Sequence, residues 1–451
     1  MGRDFNFAGV RKLALALSLF LQAHRQKKAP LIVLNFDQSC LADRYAGEMA
    51  KIFSRQGLPV LISERYAPAG AMARAIIDNR GSAGITLAAC GRLEKRVLLY
   101  QHSGAPAMPS WRLMVENEAG HLPPGLDIKP CYPAREMIRE KDLTAPYLSY
   151  LQSRVDFSLL RRVKPRIVLD LNSGSARDCL DGILRENGLE PIMTPPKIEK
   201  KTGSEKSSFN AADCRALAGM VVENKADLGA AISADGRCFR FFEQNGKPAA
   251  GRYLISALVS YLLETKNNPG PLVKSANSSL LIDAVAASFS LPVYESAPGE
   301  KFLADLAAAK KAAFAVDEVE SMVMGDDSPC ADAILFALFV LQMTSAAGKS
   351  LGEILRHTKR RFGKTLQARL VLRPGQRGIE LYQEIVSGRM PAKIPGNPKK
   401  VKLLGGIKAC FPEGWFFLRR NFESGVFTLR VEAFGAGERA RLVTLGRSVL
   451  G

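Results

Sequence analysis

No two cysteines in this chain stand in a Cys-x-x-Cys spacing. The eight are scattered singly, at Cys40, Cys90, Cys131, Cys179, Cys214, Cys238, Cys330 and Cys410. Neither a zinc site nor a disulfide framework is indicated, and reduced thiols in the cytoplasm are the expectation. Apolar runs long enough to span a bilayer are also missing, since a span needs about 20 residues. LALALSLFL (13–21) follows Arg11-Lys12, as in a signal peptide. Polar HRQKK (24–28) and an immediate strand-like run then follow, so it reads as an apolar first helix. AILFALFVLQM (333–343) reads as a core helix. No RNA-binding signature occurs, and the basic runs hold few aromatics, Phe362 in RRFGK being an exception. Neither a nucleic-acid nor a membrane partner is expected.

What is present is an ordinary globular composition with an excess of positive charge. Hydrophobic residues make up 47% and charged residues 24%. The 451 residues exceed what one core accommodates, so several domains are expected. The net charge is +19, and from Leu351 onward 20 Lys/Arg stand against 7 Asp/Glu. RHTKRRFGK (356–364) and PKKVK (398–402) are the densest runs. Such a balance is compatible with an anionic partner or with a solvated basic face.

The hydrophobic pattern alternates strand and helix. LIVLNF (31–36), LADRYAGEMAKIFSRQG (41–57), PVLISE (59–64), AGAMARAIIDNRG (69–81) and AGITLA (83–88) make one parallel, helix-covered unit. The grammar returns in RIVLDLN (166–172), DCLDGILRENG (178–188), EPIMT (190–194), NAADCRALAGMVVENK (210–225) and ADLGAAIS (226–233). A third copy runs from RYLISALVSYLLETK (252–266) to AFAVDE (313–318). The C-terminal part differs. GGIKACF (405–411), WFFLRR (415–420) and FTLRVEAF (427–434) predict antiparallel strands, and GERARLVTLGRSV (437–449) a closing helix. PPKIEKKTGSEKSS (195–208) and SGRMPAKIPGNPKK (387–400) read as surface loops or linkers.

Three α/β repeats and a smaller α+β domain in this order resemble the α-D-phosphohexomutases, the family of phosphoglucomutase and phosphomannomutase. ADLGAAISADGRC (226–238) resembles the family's metal loop, AFAVDEVES (313–321) its sugar loop, and CADAILFAL (330–338) the helix after it. GGIKACFPEGWFFLRRNFESGVFTLRVEAF (405–434) resembles the phosphate-binding domain. The resemblance implies domains at 1–145, 146–250, 251–365 and 366–451 around a central cleft. Their functional loops would lie at 88–93, 233–238, 316–321 and 419–426.

The site loops depart from the family's pattern. Where the family carries a phosphorylated serine in Thr-Ala-Ser-His-Asn-Pro, this chain has Cys90, followed by Gly91, Arg92 and Leu93. The family's Mg²⁺-binding aspartates fall on Ser233, Asp235 and Arg237. Mg²⁺ asks for an octahedron of oxygens. A guanidinium ~4 Å from the dication would cost on the order of 8 kcal/mol at an effective dielectric of 20. Arg237 is therefore expected either to replace the metal's charge or to face solvent. The paired sugar-binding glutamates fall on Asp317 and Glu318, which could equally be an exposed strand end. Gly299 and Lys301 match a Gly-x-Lys segment of the family. The phosphate loop keeps an arginine (Arg419 or Arg420), Ser424 and Gly425 before Leu429-Arg430-Val431. The family's N-terminal strand and Arg-Gly loop are largely missing from MGRDFNFAG.

The resemblance thus implies an inactive relative. A phosphosugar or other small anion would be held by Lys301, Asp317, Glu318, Arg420 and Ser424, with no cofactor expected. An active, divergent mutase interconverting hexose 1- and 6-phosphates through Cys90, with Mg²⁺, is the alternative. A basic binder of nucleic acid or another polyanion is the third class.

Overall fold

The computed structural model describes residues 6–24, 30–39, 41–89, 95–123, 126–129, 132, 135–172, 174–195, 209–265, 270–317, 321–325, 328–389, 394–421 and 425–451. The chain divides into two compact units. One is Met1–Ala249 with Ser321–Leu351, the other Ala250–Glu320 with Gly352–Gly451.

The first unit opens on α1 (Phe7–Ala23). Asn6 caps it, its Oδ1 accepting the Gly9 N–H at 2.8 Å. Val10, Ala14, Leu17 and Leu21 recur at helical spacing, so one face enters the core. The run 13–21 is thus part of a packed helix. Next come β1 (Ile32–Phe36), α2 (Ala42–Arg55), β2 (Val60–Ser63), α3 (Ala69–Asp78), β3 (Ala83–Ala89), β4 (Lys95–Gln101), α4 (Pro109–His121) and β5 (Ile138–Lys141). The sheet order is β4-β3-β1-β2-β5, with only β4 antiparallel to its neighbour. Ile32, Val33 and Leu34 of β1 are wholly buried, as a strand in a parallel sheet with covered faces requires.

Then follow α5 (Thr144–Arg154), α6 (Phe157–Val163), β6 (Ile167–Asp170), α7 (Leu180–Glu186), β7 (Ile192–Met193), α8 (Ala211–Glu223), β8 (Leu228–Ile232) and β9 (Phe239–Glu243). The order β7-β6-β8-β9, with β9 antiparallel, repeats that of β2-β1-β3-β4. The second unit starts with a further copy: α9 (Gly251–Thr265), β10 (Leu272–Ser275), α10 (Leu281–Ser288), β11 (Val293–Ser296), α11 (Glu300–Lys310) and β12 (Phe314–Asp317). Here β10 pairs in parallel with β11 and β12.

The chain returns to the first unit for β13 (Ser321–Val323) and α12 (Ala333–Ala347). The apolar run 333–343 is the buried body of α12, where Phe336 stacks on Phe239 of β9 with centroids 3.7 Å apart. The second unit closes with α13 (Leu351–Phe362), β14 (Leu366–Leu372), α14 (Gln376–Val386), β15 (Lys400–Leu403), β16 (Ile407–Phe411), β17 (Gly414–Arg420), β18 (Phe427–Ala433) and α15 (Ala436–Ser448). Its sheet is antiparallel throughout, β14-β18-β17-β16-β15. Phe416, Leu418, Leu429 and Val431 bury one face of it with Leu442 of α15.

One feature differs from the sequence reading: strands β4, β5, β9, β13, β14 and β15 and helices α4, α5, α6, α13 and α14 have no counterpart in it. The basic run 356–364 keeps the solvated face that reading allows. It lies largely on α13, whose Leu351, Ile354, Leu355 and Thr358 are buried, leaving Arg356, Lys359, Arg360 and Arg361 on the exposed face. Among the described residues no single helix is long and apolar enough to cross a membrane.

Candidate functional site

The site loops fall on one feature of the repeat, the connection after its third parallel strand. The stretch with Cys90 links β3 to β4, the 233–238 turn links β8 to β9, and Asp317 ends β12. In the antiparallel sheet, 421–426 joins β17 to β18. Cys90, Glu318 and Ser424 lie outside the described residues.

The 233–238 turn is described in full. Its backbone is pinned from both sides within the first unit. The Ala69 N–H donates to the Asp235 carbonyl at 3.1 Å, and the Ala333 N–H to the Gly236 carbonyl at 2.9 Å. Gly236 has φ +75°, which favours glycine, and a Cβ there would meet Pro68 at 3.0 Å. The Ser175 N–H and hydroxyl donate to the Ala234 carbonyl at 2.7 and 2.9 Å. Gly174 must be glycine too, because its Cβ would stand 2.2 Å from Ala234 Cα.

Inside this frame the side chains turn on one another. Ser233 Oγ donates to Asp235 Oδ1 at 2.7 Å. The Arg237 N–H reaches both Ser233 Oγ (3.1 Å) and Asp235 Oδ1 (3.2 Å), and the Cys238 N–H donates to Ser233 Oγ at 2.8 Å. An Arg237 guanidinium nitrogen is 4.0 Å from Asp235 Oδ2. The oxygens therefore face donors and a cation of their own loop.

The second unit gathers a different set. Asp317 accepts a hydrogen bond from Ser275 Oγ at 2.6 Å. Burial raises its carboxyl above the usual range, against the lowering effects of Ser275, Arg430 and Arg419. Burial likewise lowers Arg430 to about 10, with Asp317 opposing. Neighbouring Ser279 Oγ and the Leu280 N–H donate to the fully buried Glu432 at 2.6 and 2.8 Å. A cavity of about 130 Å³ is lined by Arg252, Ser278, Ser279, Asp317 and Gln367. A second of the same size is lined by Gln367, Arg369, Trp415 and Arg430. Guanidinium groups, hydroxyls and an amide suit a small anion carrying hydroxyls.

Two expected ligands are placed elsewhere. The Lys301 ammonium is buried and paired with Asp305, one turn on in α11. Strand alternation puts Arg420 on the same face as Phe416 and Leu418, and its N–H donates to the Tyr382 hydroxyl at 3.4 Å. Arg419, one residue earlier, is the arginine whose charge reaches Asp317. Arg430, Ser275, Ser278 and Gln367 received no role from the sequence. The pattern FTLRVEA carried a usable signal. Polar Thr428, Arg430 and Glu432 share one face of a strand whose other face is core.

Comparison with known proteins agrees with this architecture. Residues 250–362 match the family model for phosphoglucomutase/phosphomannomutase, alpha/beta/alpha domain III. A phosphoglucomutase/phosphomannomutase of Thermococcus kodakarensis is 20% identical over 314 residues, 69% of this chain and 66% of that one. The structure of a putative phosphomannomutase from Thermus thermophilus superposes with a TM-score of 0.78 at 20% identity, covering 99% of this chain and 96% of that one. Residues 250–362 thus resemble that family's domain III, and the chain has the fold of these mutase structures. It spans a little under two thirds of its Thermococcus relative and about half or less of several phosphoglucosamine mutases.

An Aspergillus fumigatus N-acetylphosphoglucosamine mutase, similar at TM-score 0.54 and 12% identity over 96% of this chain and 78% of that one, is seen with GlcNAc-6P and magnesium. The 233–238 turn of this chain does not fit Mg²⁺. It offers one carboxylate and one hydroxyl, both engaged by donors of the turn, beside a guanidinium. Among the described residues no three His, Cys, Asp or Glu side chains converge as metal ligands.

Proposed function

We propose that this chain is a phosphohexomutase-superfamily protein that binds a sugar phosphate, or a related small anion, without transferring its phosphoryl group. The four-domain division at 145, 250 and 365 and a cytoplasmic location belong to this reading. The 233–238 turn carries it. Phosphoryl transfer is mainly positioning and neutralisation of charge on the moving group, usually by a metal. In support, the oxygens of the 233–238 turn accept its own N–H groups and face the Arg237 guanidinium. Binding does not need that turn. Arg430 and Arg419 supply charge, while Ser278, Ser279, Asp317 and Gln367 supply polar atoms toward the sugar hydroxyls.

A second reading is a divergent active mutase, favoured by the relatives, which are named as mutases. Thermal denaturation with hexose 1- and 6-phosphates, with and without Mg²⁺, separates the two, because a ligand that binds only the folded state raises its stability. Stabilisation by a sugar phosphate, equal in both conditions, is the expected result. Stabilisation that needs Mg²⁺ favours the mutase, and none with any sugar phosphate overturns the binding role.

A further inference from the structure

The first unit holds a cavity with mostly apolar walls. It measures about 420 Å³ and lies along β4, between α1 and α4. Leu13 and Leu17 of α1, Val97 and Leu99 of β4, and Met108 and Val115 form its walls. Of these, Leu13, Val97 and Leu99 are only partly buried although they pack against the unit's main core. A wall of apolar side chains left in contact with water is unfavourable, and an apolar guest relieves it.

Charged groups also line this cavity. Arg112 and Glu116 neutralise each other in an exposed pair at 2.9 Å. Arg237 lines the cavity as well. It reaches the cavity from the 233–238 turn, and three quarters of its side chain is withdrawn from solvent. Its carboxylate neighbour, Asp235, is 4.0 Å away at the guanidinium. A guanidinium has five N–H donors and matches carboxylate or phosphate oxygens two at a time. Its position therefore adds an anion-recognising group to an apolar chamber.

We propose that this cavity is a second ligand site, and that it takes a single-chain anionic amphiphile. The alkyl chain lies among Leu13, Leu17, Val97, Leu99 and Val115, and the head group sits on Arg237. Charge complementarity selects an anionic head, and the apolar walls select an unbranched tail over a sugar. The site is independent of the sugar-phosphate site in the second unit, so either assignment can fail while the other stands.

The test uses the purified full chain and displacement of a fluorescent fatty acid. Octanoate, decanoate, decyl phosphate and decanol are compared below their micellar concentrations. Each added methylene should tighten binding about fourfold while the chamber has room. Decanoate or decyl phosphate should bind about tenfold tighter than decanol, as a charge-assisted hydrogen bond implies. Which anion binds tighter identifies the head group. Arg237→Gln should erase the preference for an anion while leaving decanol unchanged. Leu13→Trp, at a partly exposed wall position, should block every chain while Arg237 is retained, with an unchanged circular dichroism spectrum as the control for folding. No saturable binding, or binding that survives both variants unaltered, overturns the proposal.

Discussion

The phenol of Tyr147 donates to both carboxylate oxygens of Asp332, at 2.8 and 2.9 Å, in a fully buried contact that joins α5 to the start of α12. Asp332 also caps α12, accepting the Ile334 and Leu335 N–H groups at 3.1 and 3.0 Å. Burial holds its carboxyl up to about 6, against the lowering influence of those hydrogen bonds. In an unfolded chain an aspartate titrates near ~3.9. Between those values the unfolded chain gives up its proton first. Folding stability should therefore be greatest below about pH 4 on this group's account and fall through about pH 6, by about 3 kcal/mol. Asp332→Asn keeps an acceptor for the cap and for Tyr147 but has no charge to bury. Unfolding measured from pH 4 to 7 should show the variant gaining on the wild type as pH rises. Parallel curves would contradict this assignment.

Glu295 has the opposite sign. Burial alone would raise its carboxyl, yet Lys408 and Lys274, with hydrogen bonds from Lys402 and Lys408, hold it down to about 2. Lys408 is 2.7 Å away and Lys274 3.5 Å, and both lysines are almost wholly buried. Its contribution is present above about pH 4.5 and is lost as pH falls toward 2. Glu295→Gln leaves buried ammonium groups without their counter-charge and should destabilise the fold by about 3–5 kcal/mol. Denaturant titration at neutral pH checks it, and a loss below about 1 kcal/mol would show that the cluster contributes little.

The arginines of the antiparallel sheet separate by face. Arg430→Gln and Arg419→Gln should each weaken sugar-phosphate binding by about 10–100-fold, the loss of one charge-assisted hydrogen bond. Arg420→Gln should leave the affinity close to wild type, since its strand face is the core face with Phe416 and Leu418. Isothermal titration decides it, and the reverse ranking would place the anion beside Arg420.

How much of this was legible in the sequence varied with the physics. The parallel cores were legible because buried strands read as continuous apolar runs, such as Ile32–Leu34, followed by glycine-stopped helices. Antiparallel edge strands such as KRVLLYQ and FRFFE carry mixed polarity and gave no clean period. The choice between Arg419 and Arg420 was not legible, because one residue of register turns a strand side chain to the other face. The pairing of Lys301 with Asp305 was readable as an i,i+4 spacing, but the family resemblance pointed away from it. The closure of Ser233, Asp235 and Arg237 on one another was foreshadowed only by the missing aspartates.

Magnesium should be inert. Millimolar Mg²⁺ should leave the unfolding temperature where an equal ionic strength of NaCl leaves it, because the 233–238 turn already satisfies its oxygens. A rise specific to Mg²⁺ and lost in Asp235→Ala would show that the turn opens to take the ion.

The most direct measurement is turnover itself. The purified chain is incubated with glucose 1-phosphate or mannose 1-phosphate and Mg²⁺, and the phosphorus resonances of the sugar phosphates are followed. The account predicts no 6-phosphate above the protein-free control, in a sample whose unfolding temperature the same sugar phosphate raises. Conversion that is abolished by Cys90→Ala would contradict it, because Cys90 would then carry the phosphoryl group.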